Sequence, residues 1–225
     1  MEGLEAAWGE MSADPEMAEL DLGPKEREAF FADATALVRR YFEMENPDEV
    51  TAVGIELSLE ASMGPVRLRG IIDRLDLDKD GELVVTDYKT GRSPAPSHEQ
   101  ARMDGVHFYA YLCEQMLGKA PARVRLLYLR DGVEITAEIS PQSLKGLRQR
   151  TLAVWSAIER ACATEDFRPR TSPLCNWCSF KAYCPAFGGS LPAADPIRAE
   201  PAEPGPFGPT LSWDQARWAM APGGP

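Results

Sequence analysis

Two aspartates and a lysine, close together in the chain, have the chemistry to hold a cation and handle a phosphate. They sit in Gly70-Ile71-Ile72-Asp73-Arg74-Leu75-Asp76 and, past a turn, in Val84-Val85-Thr86-Asp87-Tyr88-Lys89-Thr90-Gly91. Asp87 and Lys89 are two apart on a predicted strand, so their side chains share a face. Whether Asp73 joins them depends on the turn. A two-residue Asp80-Gly81 loop pairs position 73 with 88 and sends the aspartates to opposite faces. A three-residue Lys79-Asp80-Gly81 loop, with glycine in the left-handed place, pairs 73 with 87. The sequence permits both turns; the chemistry requires the second. On that register two carboxylates stand with β-carbons about 5 Å apart, and they repel unless a cation or proton lies between them. Oxygen donors completed by water suit Mg²⁺ or Mn²⁺ better than zinc. An ammonium beside them can steer the attacking water and offset charge growing on a phosphate. An acid and a lysine on a strand are usually a solvated face, but apolar Leu83, Val84 and Val85 place Asp87 at the end of a core strand.

A second cluster is Cys175-Asn176-Trp177-Cys178 followed by Cys184, a Cys-x2-Cys-x5-Cys pattern. Three thiolates on short loops make a soft-metal site, zinc or iron–sulfur, and spacing alone does not choose. Arg168, Arg170 and Lys181 nearby are either phosphate contacts or solvated charges. Cys113 and Cys162 fall on predicted helices at or near apolar positions and read as small buried hydrophobes.

The elements that must position these groups follow from periodicity. A helix runs from Pro24 to about Glu45, with Phe30, Ala34, Leu37, Val38, Tyr41 and Phe42 recurring and Asn46-Pro47 as its stop. A short helix near Leu4 to Met11 is a weak signal. Strands are predicted over 52–60, 66–77 and 82–88, then a helix from His98 to Leu117 with Met103, Val106, Ala110, Cys113 and Leu117 on one face. A hairpin over 122–129 and 133–139 turns at Asp131-Gly132. A last helix runs from Pro141 to about Ala163, capped by Ser140, with Leu144, Leu147, Val154, Trp155 and Ile158 inward. This order predicts an α/β (α+β) fold, a mixed central sheet flanked by helices. The expected division is an acidic segment over 1–23, a domain over 24–189 and a disordered Pro/Gly-rich tail over 190–225. Leu211 to Trp218 in that tail reads as a hydrophobic scrap rather than a docking motif.

The net charge of −11 at first argues against nucleic acid, but its distribution reverses that. Residues 1–60 hold 16 acids and 4 bases, whereas 61–184 hold 18 bases and 15 acids, so the middle of the chain can face a phosphate backbone. No run of about 20 apolar residues is present for a membrane span, and the start lacks a signal peptide's pattern. The expected location is cytoplasmic, where clustered cysteines more often bind metal than form disulfides.

The segment GIIDRLDLDKDGELVVTDYKTGR resembles the RecB-like branch of the PD-(D/E)XK nuclease superfamily, and the resemblance spans about residues 37–189. It implies a restriction-endonuclease-like core and a Mg²⁺- or Mn²⁺-dependent DNA nuclease of exonuclease type, working in repair or recombination. The partners implied are single-stranded DNA or duplex ends, and a helicase. By the resemblance Asp73 and Asp87 are metal ligands with the Tyr88 backbone carbonyl, and Lys89 is the catalytic lysine. Glu56 on the preceding strand is either a further ligand or a surface acid, and Arg74 and Arg92 join the DNA-contact candidates. Cys175, Cys178 and Cys184 are three ligands of a [4Fe–4S] cluster whose fourth comes from near the N-terminus in relatives. Two departures stand out. Relatives carry a histidine on an N-terminal helix that follows a cysteine, whereas this chain has only His98 and His107, and no cysteine before Cys113. That first helix is therefore expected to be missing from this sequence. Gly105 also stands where relatives have a glutamine, four residues before Tyr109. These departures keep open a nuclease-like module that binds DNA or a helicase without cutting, and the cysteine cluster keeps open a zinc-binding interaction module.

Overall fold

The computed structural model describes residues 2–190, apart from the side chains of Glu2, Ala18, Pro96 and 98–104. The expected tail falls outside them, as do the side chains of His98 and Met103. Of the described residues, those up to Leu147 form one compact unit and those from Arg148 a second.

The first unit is built on a five-stranded sheet in the order β1-β2-β3-β4-β5. Its strands are β1 (Thr51–Met63), β2 (Val66–Leu77), β3 (Leu83–Lys89), β4 (Arg123–Tyr128) and β5 (Val133–Glu138). All neighbours are antiparallel except β3 and β4, which are parallel. A parallel pair needs a crossover, and the helix α4 (Pro96–Leu117) supplies it. Ahead of the sheet come α1 (Glu2–Met11), α2 (Pro15–Glu19) and α3 (Pro24–Met44); α5 (Pro141–Thr164) follows it. The mixed sheet with flanking helices is the one the sequence predicts. It did not predict α2, a single turn without apolar periodicity.

Local chemistry explains the boundaries. In α3, Pro24 fills the first turn and the Glu26 carboxylate accepts the Gly23 N–H at 2.7 Å. Gly118, left-handed at φ 71°, ends α4. Ser140 caps α5, its hydroxyl accepting the Ser143 N–H at 3.1 Å. Gly70 lets two elements approach: a Cβ there would lie 2.9 Å from both Leu112 and Phe108, so its absence lets α4 settle onto β2.

The core lies between sheet and α4, where Leu57, Leu59, Leu75, Val85, Ala110, Leu112 and Leu126 are all but inaccessible. The expected inward face of α4 holds at Val106, Ala110, Cys113 and Leu117. Two expectations fail. In α5 only Leu144 and Leu147 are buried, while Val154 and Ile158 are 59% and 45% exposed. From Arg148 on, the helix belongs to the second unit. Cys162, on the same stretch, is exposed rather than buried. The face of α3 is also looser than its pattern implies. Phe30, Val38 and Phe42 stay exposed, and an apolar hollow of about 450 Å³ is lined by Leu37, Tyr41, Tyr88 and Leu129.

Candidate active site

The turn between β2 and β3 settles the question that the sequence left open. Asp78 N–H bonds the Glu82 carbonyl at 3.0 Å, and Gly81, left-handed at φ 75°, donates to Asp78 at 2.9 Å. The loop is therefore Lys79-Asp80-Gly81, and the strand register runs Leu77↔Leu83 to Arg74↔Thr86. Continued one step, it sets Asp73 opposite Asp87, on the same face of the sheet.

The backbone ladder between β2 and β3 stops at Arg74↔Thr86, while β3 goes on alongside β4 to Lys89↔Tyr128. The strands thus fork at the two aspartates. One arm of the fork leaves the Tyr88 N–H without a strand partner, and the Asp73 carboxylate accepts it at 2.8 Å. A residue's N–H and C=O leave a strand on the same edge, so the Tyr88 carbonyl also points into the fork. The next carbonyl, of Lys89, turns the other way and accepts the Leu129 N–H at 2.9 Å.

Asp87 is 4% exposed, and its Oδ2 has no hydrogen-bond partner. Lys89 Nζ lies 2.5 Å from it in an ion pair. Burial, together with the charge of Asp73, holds the Asp87 carboxyl above its usual pKa despite Lys89. For Lys89 burial works against the charge, but Asp87 and then Asp73 more than reverse it and hold the ammonium above its usual value. Tyr109 of α4 stands beside both, its phenol pushed up by burial and then by Asp87, so it remains a neutral donor. Asp87, Lys89 and Tyr109 line a cleft of about 400 Å³ together with Arg92, Gly105 and Tyr128.

A buried carboxylate whose Oδ2 faces an ammonium, with a second carboxylate's charge nearby and an inward carbonyl, fits a hard divalent cation that keeps several waters. Asp73, Asp87 and the Tyr88 carbonyl would hold it. Glu56 is the remaining candidate. It is exposed and left-handed at φ 49°, an unusual conformation outside glycine. Its place between the pairs Ile55↔Arg74 and Leu57↔Ile72 is opposite Asp73. Yet among the described residues no three acids, histidines or cysteines gather as a metal-holding group.

Arg74 needs a correction: it offers nothing to a phosphate. It is 5% exposed, on the face opposite the aspartates, and its guanidinium binds both oxygens of Glu45 at 2.5 and 2.8 Å and both of Asp76 at 2.7 and 2.9 Å. Alternation along β2 turns position 74 away from position 73, and the acids there claim its charge. Asp76, two residues on, carried that signal in the sequence. Glu45, 29 residues away, left none. Arg92 is exposed at the cleft.

In the second unit Cys175 lies in the 3-10 turn Pro173–Trp177, Cys178 ends that turn, and Cys184 sits between the turns Lys181–Tyr183 and Pro185–Phe187; Cys178 is exposed and Cys175 and Cys184 partly so. Among the described residues they do not gather as a group of three metal ligands. Arg168 pairs with Asp166 at 2.7 Å, Lys181 lies 4.9 Å over the Phe187 ring, and Arg170 is exposed.

No helix among the described residues is long and apolar enough to cross a membrane. Over 134 residues the chain is 26% identical to the Gene 69 protein of Mycobacterium phage L5, a match covering 59% of this chain and 44% of the phage protein. The crystal structure of SSO0001 aligns over 71% of each chain at 18% identity, with a TM-score of 0.39. A family model for the PD-(D/E)XK nuclease superfamily matches residues 2–185, and the sheet is consistent with that superfamily's restriction-endonuclease-like fold. With four-fifths of its length matched, this chain belongs to the PD-(D/E)XK nuclease superfamily.

Proposed function

We propose that this chain is a divalent-cation-dependent deoxyribonuclease of the RecB exonuclease type, acting on DNA single strands or duplex ends in repair or recombination. The observation that carries this reading is the fork, where Asp73 accepts the Tyr88 N–H and the buried Asp87 pairs with Lys89. A bound Mg²⁺ or Mn²⁺ would supply Lewis-acid activation of water and neutralise phosphate charge. Asp73 is held in place by the Tyr88 N–H, and Asp87 by its buried setting. Lys89, half exposed at the cleft, carries its positive charge toward a phosphate and orients a water beside it. Tyr109 donates a hydrogen bond from the cleft wall, and Arg92 at its rim meets the DNA backbone. The chain spans under half the length of the phage relative it matches, so a helicase partner belongs to this proposal too.

The test is cleavage of labelled single-stranded and blunt-ended duplex DNA with Mn²⁺ or Mg²⁺. Cutting is expected with either ion and none with chelator, and Lys89→Ala is expected to lower the rate at least 100-fold, the scale of losing one charge-stabilising group. Full activity in that variant overturns the assignment. DNA binding without cleavage in the unaltered chain favours the non-cutting rival, to which Gly105 points by giving the cleft wall no side chain beyond its backbone.

A further inference from the structure

Past Arg74 and Thr86 no backbone pairing joins β2 to β3, so the width of the fork is set by side chains. On the face toward α4 the crosspiece is the Asp73 carboxylate on the Tyr88 N–H. On the opposite face it is the Arg74 guanidinium, which reaches Thr86 Oγ1 at 3.4 Å, donates to the Tyr88 hydroxyl and lies 5.5 Å over the Tyr88 ring. Tyr88 is thus gripped twice, by its backbone from the site side and by its phenol from behind. Tyr41 of α3 packs edge-on against the same ring at 5.7 Å.

The guanidinium is itself immobilised. Glu45 binds it in a two-pronged pair, Asp76 holds Nε, and Asp76 also accepts from Thr86 at 3.0 Å. Glu45 caps the end of α3 and is shared with Arg125 of β4 at 3.1 Å. One buried cation therefore ties β2 to β3 directly and to α3 and β4 through Glu45. Two carboxylates on that cation cancel its field, so it does not compete with a divalent ion for the aspartates on the other face. A lysine's single ammonium could not span the same four partners.

The geometry points to Arg74 and Tyr88 as positioning residues that set the separation of the Asp73 and Asp87 carboxylates and the direction of the Tyr88 carbonyl. This rests on those aspartates being the metal ligands. Partners behind metal ligands are commonly worth about 10- to 100-fold in metal affinity.

Tyr88→Phe tests it, because the ring keeps its packing on Tyr41 and only the hydroxyl strut is lost. Mn²⁺ binding is read by the paramagnetic resonance of the free ion for the unaltered protein, Tyr88→Phe and Asp87→Asn. Hydrogen exchange of the residue 88 amide is read in the metal-free protein. The expected result is loss of binding in Asp87→Asn, about 10-fold weaker binding in Tyr88→Phe and faster exchange at residue 88, with KM for DNA unchanged. Arg74→Lys, with the charge kept and the fork of donors lost, is expected to weaken binding at least as much. Mn²⁺ affinity within twofold in Tyr88→Phe, with or without a change in exchange, overturns the positioning role. Unchanged binding in Asp87→Asn overturns the metal assignment instead.

Discussion

The fork of the sheet and the cysteine segment both carry residues with metal-binding chemistry, and the protein treats them in opposite ways. Behind the fork the buried Arg74 guanidinium is held by Glu45, Asp76 and Tyr88, which come from separate elements, so that part of its geometry exists before any ligand arrives. Around the cysteines the bonds are local ones within short turns, and Trp177 between them is 88% exposed. Cys175 Sγ, for example, takes only the Ser172 N–H at 3.3 Å, three residues away. Fixed geometry comes from strands cross-tied by long-range ion pairs; spacing in the chain does not supply it alone.

The sharpest way to break this contrast is to remove the cation that the fork is built around. Arg74→Met leaves Glu45 and Asp76 buried without their shared partner, and is expected to cost about 3–5 kcal/mol of stability. Urea denaturation measures it. A loss below about 1 kcal/mol would put the network in the class of surface pairs and erase the difference between the two regions.

The legibility of the two regions differs for the same reason. Strand pairing, the parallel crossover and the buried face of α4 were open to sequence reasoning because each leaves a period or a turn residue behind. Gly81 even marked the correct turn, although the two-residue alternative could not be dismissed without coordinates. The Arg74 network left almost no trace: Glu45 reads as one more acid in an acidic quarter of the chain. Arg74 itself, next to Asp73, reads as a phosphate contact until the strand's alternation is combined with what covers each face. The α5 error has a similar origin. Val154 and Ile158 keep a helical period, but periodicity names a face and not the partner that buries it.

A smaller effect follows from acid. Burial by itself would raise the Glu45 carboxyl, but the Arg74 and then Arg125 guanidiniums hold it below its usual value. A carboxylate lowered in the folded state stabilises above its unfolded pKa, and that contribution disappears as pH falls through the folded value. Stability is thus expected to decline below pH about 4.5, and Glu45→Gln should flatten this decline while lowering stability at neutral pH. Thermal melts across the acid range check both. An identical acid slope in the variant would place the titrating group elsewhere.

The smallest effect should come from the cysteine segment. Trp177→Ala and Cys178→Ser remove exposed side chains, so each is expected to change stability by under about 0.5 kcal/mol in metal-free protein. Neither should alter Mn²⁺ binding at the fork, since Asp73 and Asp87 are fixed within the sheet unit. The comparison turns on what happens after anaerobic incubation with iron and sulfide. If the protein then gains a cluster's visible absorption and Cys178→Ser does not, with a matching rise in melting temperature for the unaltered chain alone, the turns are ligand-ordered, as metal-coupled folding would have it. If neither protein changes, the three thiols serve no cluster in this chain, and the fork alone carries its metal chemistry.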